Sequence, residues 1–300
     1  MPEIIDISKI PKEQEKKPKK KTLPLWNIKM SEDLIIAIPQ YKTVDYTIRA
    51  LNLLRKENIP FTSLVVFDGT PEKKLYDADT YADIYLRMQT RVSSMPHLWN
   101  LMFGMAKLTK AKYLLYHCSD IEIRPGALQS MYNLIKRYDV VSPIKIDGDR
   151  KKFENYKIGN RTPLLCAGMN DAICMYNLAK IQFKPFNEIY APYQFCETAY
   201  AYELWRSGCS MVIDPGAVVF HYGSVDIANC PAERKFGSET WDQKRDYFMQ
   251  DADNEKRFFL EKSIMNSANA NIYGFPVHVY GPIDKIDYAS IRAGGINGKK

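Results

Sequence analysis

Asp120 and Glu122 stand one residue apart at the end of a short apolar run, Tyr113-Leu-Leu-Tyr-His-Cys118, and Pro125 opens a new helical pattern just beyond them. In an extended chain residues i and i+2 share a face. Both carboxylates are therefore expected to project together from the C-terminal end of a strand, where open α/β sheets bind ligands. Two carboxylates so placed suit a hard divalent cation that also grips phosphate oxygens. Two surface acids on a solvated strand end are the plain alternative.

The elements that must position this pair can be read from periodicity. Residues 33–39 form a buried apolar run, and Val44, Ile48, Leu51 and Leu54 then repeat at helical spacing. Strand signals return at 63–68, 83–86, 113–118 and 140–146. Between them, a helix is expected from Ser94, an N-cap candidate with Pro96 in the first turn, and another after Pro125. Strands separated by helices imply parallel pairing with right-handed crossovers. The fold class expected is α/β, with a mostly parallel, Rossmann-like first half and a mixed second half. In that second half, 147–163 reads as a polar loop, 165–176 as a strand and 197–206 as a helix. Met211–His221 reads as a strand interrupted at Pro215-Gly216, and about 239–262 as a long amphipathic helix. No element is read in 266–300, and no repeat is found.

Composition narrows the function classes. The 300 residues are 46% hydrophobic, enough for a sizeable core, yet apolar runs are only strand-sized, so no transmembrane segment is expected. The opening Met-Pro-Glu-Ile-Ile-Asp lacks the pattern of a secretory signal. The six cysteines contain no Cys-x-x-Cys pair, which argues against disulfide and zinc frameworks and for a reducing, cytoplasmic setting. Net charge is +7, but it sits at the ends: residues 31–298 hold 32 basic and 31 acidic side chains. Residues 1–30 are expected to be a disordered basic leader. A near-neutral body disfavours a duplex-binding surface. Neither Gly-x-Gly-x-x-Gly nor a Walker loop is present.

Taken in order, five segments resemble the family 2 glycosyltransferases, which have the GT-A fold. These are Ile-Ala-Ile-Pro39-Gln-Tyr41, Leu-Val-Val-Phe-Asp68-Gly-Thr, the Asn100 helix, Cys118-Ser-Asp120-Ile-Glu122-Ile-Arg-Pro-Gly-Ala-Leu128, and Glu197 through Gly208 followed by Pro215 and His221-Tyr-Gly-Ser224. The fourth is closest to rhamnosyltransferase-like members, and the likeness spans roughly 33–265. It implies a metal-dependent, inverting transfer of a sugar from a UDP- or dTDP-linked donor to a hydroxyl on a glycan, lipid-linked or protein acceptor. Mn2+ or Mg2+ would be held by Asp120, Glu122 and His221. Pro39, Tyr41, Asp68, Asn100 and Ser119 would contact the donor, and Glu197 would be the base.

The chemistry of these side chains agrees with those roles. A divalent cation neutralises charge developing on a diphosphate leaving group. An acceptor hydroxyl, with its high pKa, needs a carboxylate such as Glu197 to take its proton; Glu203 is the competitor. Asp68 can accept a pyrimidine imide N–H with the Tyr41 ring stacked on the base, or it can simply turn the chain before Gly69. His117 reads as a core residue or as support for a metal ligand. Three positions depart from the family pattern: Cys118 replaces the first acid of the metal motif, Glu replaces Asp at 197, and Ala199 replaces the second acid of that helix. A GT-A-fold binding protein without turnover is therefore the second hypothesis. The third is a transferase acting on a modified nucleic-acid base, with the lysine leader on phosphates.

Overall fold

The computed structural model describes residues 33–57, 59, 63–70, 81–87, 94–159, 162–166, 172–182, 184–191, 195–223, 235–236, 239–250 and 279–282. The leader, residues 251–278 and Ser224 lie outside these. Among the described residues ten strands form one sheet, in the order β10-β7-β9-β6-β8-β4-β1-β2-β3, with β5 paired to β9. The strands are β1 (Leu34–Gln40), β2 (Ser63–Asp68), β3 (Ile84–Arg87), β4 (Tyr113–His117), β5 (Ile121–Ile123), β6 (Val140–Asp147), β7 (Leu164–Cys166), β8 (Ile173–Asn177), β9 (Met211–His221) and β10 (Val279–Pro282).

The half built from β3, β2, β1 and β4 is parallel throughout. In the other half only β6 and β9 are parallel; β8 joins the halves by running antiparallel to both β4 and β6. β1, Leu-Ile-Ile-Ala-Ile-Pro-Gln, is buried along its whole length because both of its faces are covered. Leu34, Ile36 and Ile38 pack with Leu51 and Leu54 of α1 (Val44–Lys56) and with Leu128, Met131 and Ile135 of α3 (Ala127–Ile135). Ile35 and Ala37 face the other way, onto Leu98, Met102 and Phe103 of α2 (Met95–Leu108) and the aromatic core around α5 (Cys196–Arg206). β2, β4 and β8 divide their residues in the same alternating way. Ser94 caps α2 as expected, its hydroxyl accepting from the His97 N–H.

β9 carries a bulge. Asp214 pairs with Pro143, but the next partner of Ile144 is Val218, so Pro215, Gly216 and Ala217 are extra. The Asp214 carboxylate holds the bulge by accepting the Gly216 N–H at 2.8 Å. An odd insertion exchanges the two faces of a strand. Accordingly Met211 and Ile213 belong to the α2 side, whereas beyond the bulge Val218 and Phe220 do.

Several elements differ from the sequence reading. Residues 147–163 are not all loop: Arg150–Asn155 form α4, capped by Asp149, whose side chain accepts from the Lys152 N–H. The span 165–176 contains parts of two strands, β7 and β8, rather than one. The last helix, α6 (Trp241–Met249), covers only the first part of the predicted 239–262, and the rest lies outside the described residues. Within 266–300, β10 adds an antiparallel strand to β7. No helix among the described residues is long and apolar enough to cross a membrane.

α4 is short and buries only Phe153, so its cap carries much of its stability. Asp149→Ala is expected to cost about 1 kcal/mol, seen as a lower urea midpoint with an unchanged slope.

Candidate active site at the strand ends

β1 is flanked by β2 on one side and β4 on the other, so the order in which strands are added reverses between β1 and β4 while all three stay parallel. Open α/β sheets bind ligands at the C-terminal strand ends beside such a reversal. Here the hydroxyls of Thr43, just after β1, and Ser119, just after β4, meet at 2.9 Å, both buried. Asp120 follows, only 3% exposed.

A charged chain runs from Asp120 across two further strand ends. β5 turns back antiparallel to β9 with Ile121 opposite His221, and β6 places Asp147 opposite the same histidine. His221 Nε2 lies 3.3 Å from Asp120 Oδ2, and its Nδ1 lies 2.6 Å from Asp147 Oδ1. Burial alone would depress the imidazole pKa. The Asp120 charge and hydrogen bond, then the bond to Asp147, outweigh it and hold the ring up to about 10.

Glu122 goes elsewhere. Its carboxylate takes both guanidinium arms of Arg150 at 2.8 Å, Arg49 at 2.6 Å and the Tyr222 hydroxyl at 2.8 Å. Burial would raise its pKa, but these donors more than reverse that and keep the carboxyl below its usual range. The guanidiniums also stack: Arg150 lies 4.3 Å from the Phe220 ring centre and Arg49 lies 5.3 Å from that of Tyr222. Glu122 is thus occupied by cations of the protein itself.

The remaining candidates are distributed as follows. Pro39 lies within β1, in register with Phe67. Tyr41 is half-buried just beyond, with Lys42 Nζ 5.7 Å from its ring centre. Asp68 is fully buried at the end of β2; its oxygens accept from the Thr70 N–H at 3.0 Å and the Tyr85 hydroxyl at 2.5 Å. The first of these is the chain-turning use weighed for Asp68. Asn100 spends its amide on the backbone of Phe186, accepting at 2.7 Å and donating at 3.0 Å. Glu197, in the first turn of α5, accepts from the Cys196 thiol at 2.9 Å. His117 is fully buried, and neither ring nitrogen makes a well-formed hydrogen bond. The structure therefore brings Ser119, Asp120 and His221 together, with Pro39, Tyr41 and Asp68 along the same edge, while Asn100 clasps a loop.

Sequence reading missed Thr43, Gln40, Tyr85, Asp147 and Arg150. Gln40 ends β1 beside Asp68, and its side-chain carbonyl is buried without a partner. Asp147 had one visible signal, its place as the last residue of an apolar run.

No family model matches the sequence, and neither does any curated protein. Solved structures do match the fold. GalNAc-T7, crystallised with UDP, GalNAc and Mn2+, superposes with a TM-score of 0.50 at 13% identity, over 64% of this chain and 44% of that one. S. aureus TarS 1-349 gives 0.51 at 15% identity, over 63% and 60%. The fold is of the GT-A type. The chain thus matches less than two thirds of either structure, and at such identities the likeness is one of architecture.

The strand-end donor set fits a divalent cation only in part. Among the described residues no three His, Cys, Asp or Glu side chains are grouped to hold a metal. The pair Asp120 and His221 nonetheless has suitable chemistry: one carboxylate, and one imidazole whose far nitrogen is fixed by Asp147, as ligating histidines require.

Two outcomes follow for stability. Glu122→Ala leaves Arg49 and Arg150 without their shared carboxylate and is expected to cost about 3 kcal/mol in chemical denaturation. His117 is held neutral, its pKa lowered to about 4 mainly by burial, with nearby backbone groups and Asp120 opposing. Its contribution is full above the unfolded value near 6.5 and is lost as pH falls toward 4. The loss amounts to about 3 kcal/mol, and a His117→Leu variant should lack that part of the slope.

Proposed function

We propose that the protein is a nucleotide-sugar-dependent glycosyltransferase that moves a sugar from a UDP- or dTDP-linked donor to an acceptor hydroxyl with inversion. One observation carries the reading: Asp120, His221 and the Thr43–Ser119 hydroxyl pair converge at the switch point of a GT-A-type sheet. Support comes from the structural neighbour crystallised with UDP, GalNAc and Mn2+.

In this reading the donor base lies over the ends of β1 and β2. Tyr41 stacks on it, and Gln40 offers the unpartnered carbonyl oxygen to an imide N–H. Asp68 shapes that edge by holding Thr70 and Tyr85. Pro39 fixes the β1 backbone below it, and Ser119 with Thr43 faces the donor's phosphates. Mn2+ or Mg2+ would be held by Asp120 and by His221 after loss of its Nε2 proton, and when bound it supplies charge neutralisation for the leaving diphosphate. Asp147 keeps the other ring proton in place and so orients His221. Glu122 acts at one remove, since its ion pairs fix β5 and hence Asp120. Glu197 takes the acceptor proton as the oxygen attacks the anomeric carbon from the side opposite the leaving group. Asn100 serves this reading by anchoring the loop before α5.

The second reading, a binding protein of the same fold without turnover, is favoured by the commitment of Glu122 to two arginines. Manganese-dependent hydrolysis of UDP- or dTDP-sugars separates the two. Wild type should hydrolyse one such donor, Asp120→Asn should lose at least a hundredfold, and Glu197→Gln should bind donor normally yet fail to transfer. Nucleotide binding without turnover under any metal selects the binding protein, and no nucleotide binding at all removes both.

A further inference from the structure

α5 presents a second set of side chains that the transfer chemistry does not use. Its flank, together with the 184–190 loop and α6, lines a half-open cavity of about 390 Å³. That is within the range of small-ligand pockets, about 300–1,000 Å³. Asp120, His221 and Glu122 are not among its walls.

The polar groups around this space are held in place. Tyr190 is 4% exposed, and among the described residues its hydroxyl has no hydrogen-bond partner. Burial raises the Tyr190 pKa and Tyr247, Cys196 and Glu203 add to the rise; all four residues line the cavity. The Tyr247 ring meets Tyr190 edge-on at 5.9 Å, and the Asn187 amide donates to the Tyr247 hydroxyl at 3.1 Å. Asn187 is itself oriented, its carbonyl oxygen accepting the Ile189 N–H at 3.0 Å. An aromatic wall is therefore set at a fixed angle beside amide and hydroxyl groups. The charged walls are one of each sign, Glu203 and Arg206, so no surplus of positive charge awaits a phosphate.

Fixed aromatic surface, amide and hydroxyl donors and acceptors, and balanced charge together match a ligand with apolar ring faces and many neutral hydroxyls. A nucleoside diphosphate would want net positive charge, and a purely apolar ligand would leave the Tyr190 hydroxyl without a partner. We propose that this cavity binds a neutral saccharide. The site does not depend on turnover: a protein of this fold that never transfers a sugar would still bind one here. If transfer occurs, the saccharide suits the acceptor side, because Cys196 in the cavity wall is hydrogen-bonded to Glu197.

The test uses the full chain and a panel of neutral mono- and disaccharides, including galactose, N-acetylglucosamine, rhamnose, lactose and chitobiose, read by saturation-transfer NMR. At least one should bind. Tyr190→Phe should weaken that binding about tenfold while leaving the thermal midpoint unchanged or higher, since the lost hydroxyl has no partner among the described residues. Tyr247→Ala should abolish it. UDP affinity should be the same in both variants. The proposal is overturned if no sugar in the panel binds, if both variants bind as wild type does, or if Asp120→Asn or UDP removes the signal, which would put the sugar at the strand ends. A protein that fails to bind UDP but loses its sugar on Tyr247→Ala refutes the transfer reading and leaves this one standing.

Discussion

The carboxylate of Glu122 holds the strand-end region together. Four elements meet on it: α1 through Arg49, α4 through Arg150, β5 through its own backbone, and the end of β9 through Tyr222. β5 is only three residues long, too short to hold its place by pairing alone. The ion pairs fix it against β9, and the backbone N–H of Tyr222 then bonds the Asp120 carbonyl at 3.1 Å. Asp120 and His221 are brought face to face by that geometry. Two guanidiniums on one carboxylate leave a net positive charge, spread over aromatic rings rather than exposed. A carboxylate with such partners has little to offer a divalent cation, and its ions are worth more as a brace than as a ligand.

A comparable brace operates on the other side of the sheet. Asn100, on α2, holds the Phe186 backbone by two hydrogen bonds, and Phe186 stacks on Tyr200 of α5 with ring centres 4.0 Å apart. Trp99 and Phe103 pack against the same phenylalanine. The start of α5, where Glu197 sits, and the loop carrying Asn187 and Tyr190 are therefore located by one aromatic cluster. Displacing Phe186 would move the candidate base and the cavity walls together.

Much of the architecture was legible because each strand of the first half is apolar on both faces and each helix repeats at a period near 3.6. The Ser94 cap and the interruption at Pro215-Gly216 were equally visible. What stayed hidden depends on long-range partners. α4 reads as loop because Arg-Lys-Lys-Phe-Glu-Asn has a single buried residue; what secures it is the Asp149 cap and an ion pair to Glu122, 28 positions away. Periodicity shows that Glu122 shares a face with Asp120 but not whether a metal or a guanidinium will meet it. For Asn100 the deciding partner lies 86 positions on. Asp68 was half legible: its turn bond to Thr70 is local, whereas Tyr85 comes from the neighbouring strand.

The bulge in β9 shows how a local irregularity can decide the chemistry of a site. Side chains of a strand alternate between faces, and His221 shares the phase of Ala217 and Val219, which pack on the α1 and α3 side. Counted from Met211 and Ile213 without the bulge, the same odd positions would lie on the α2 side, where those two residues pack. The three extra residues shift the phase by one face, and so turn His221 toward Asp120. The device is inexpensive: Asp214 secures it with one bond to the Gly216 N–H, and Pro215, which has no N–H to donate, loses no ladder bond there. A Cβ at Gly216 would come within 2.8 Å of Ser130 Oγ and 3.1 Å of Asp214 Oδ1, so both side chains would have to shift and the bond that secures the bulge with them. The Pro-Gly pair that reads in the sequence as a break in a strand is therefore what sets the histidine on the correct face of it.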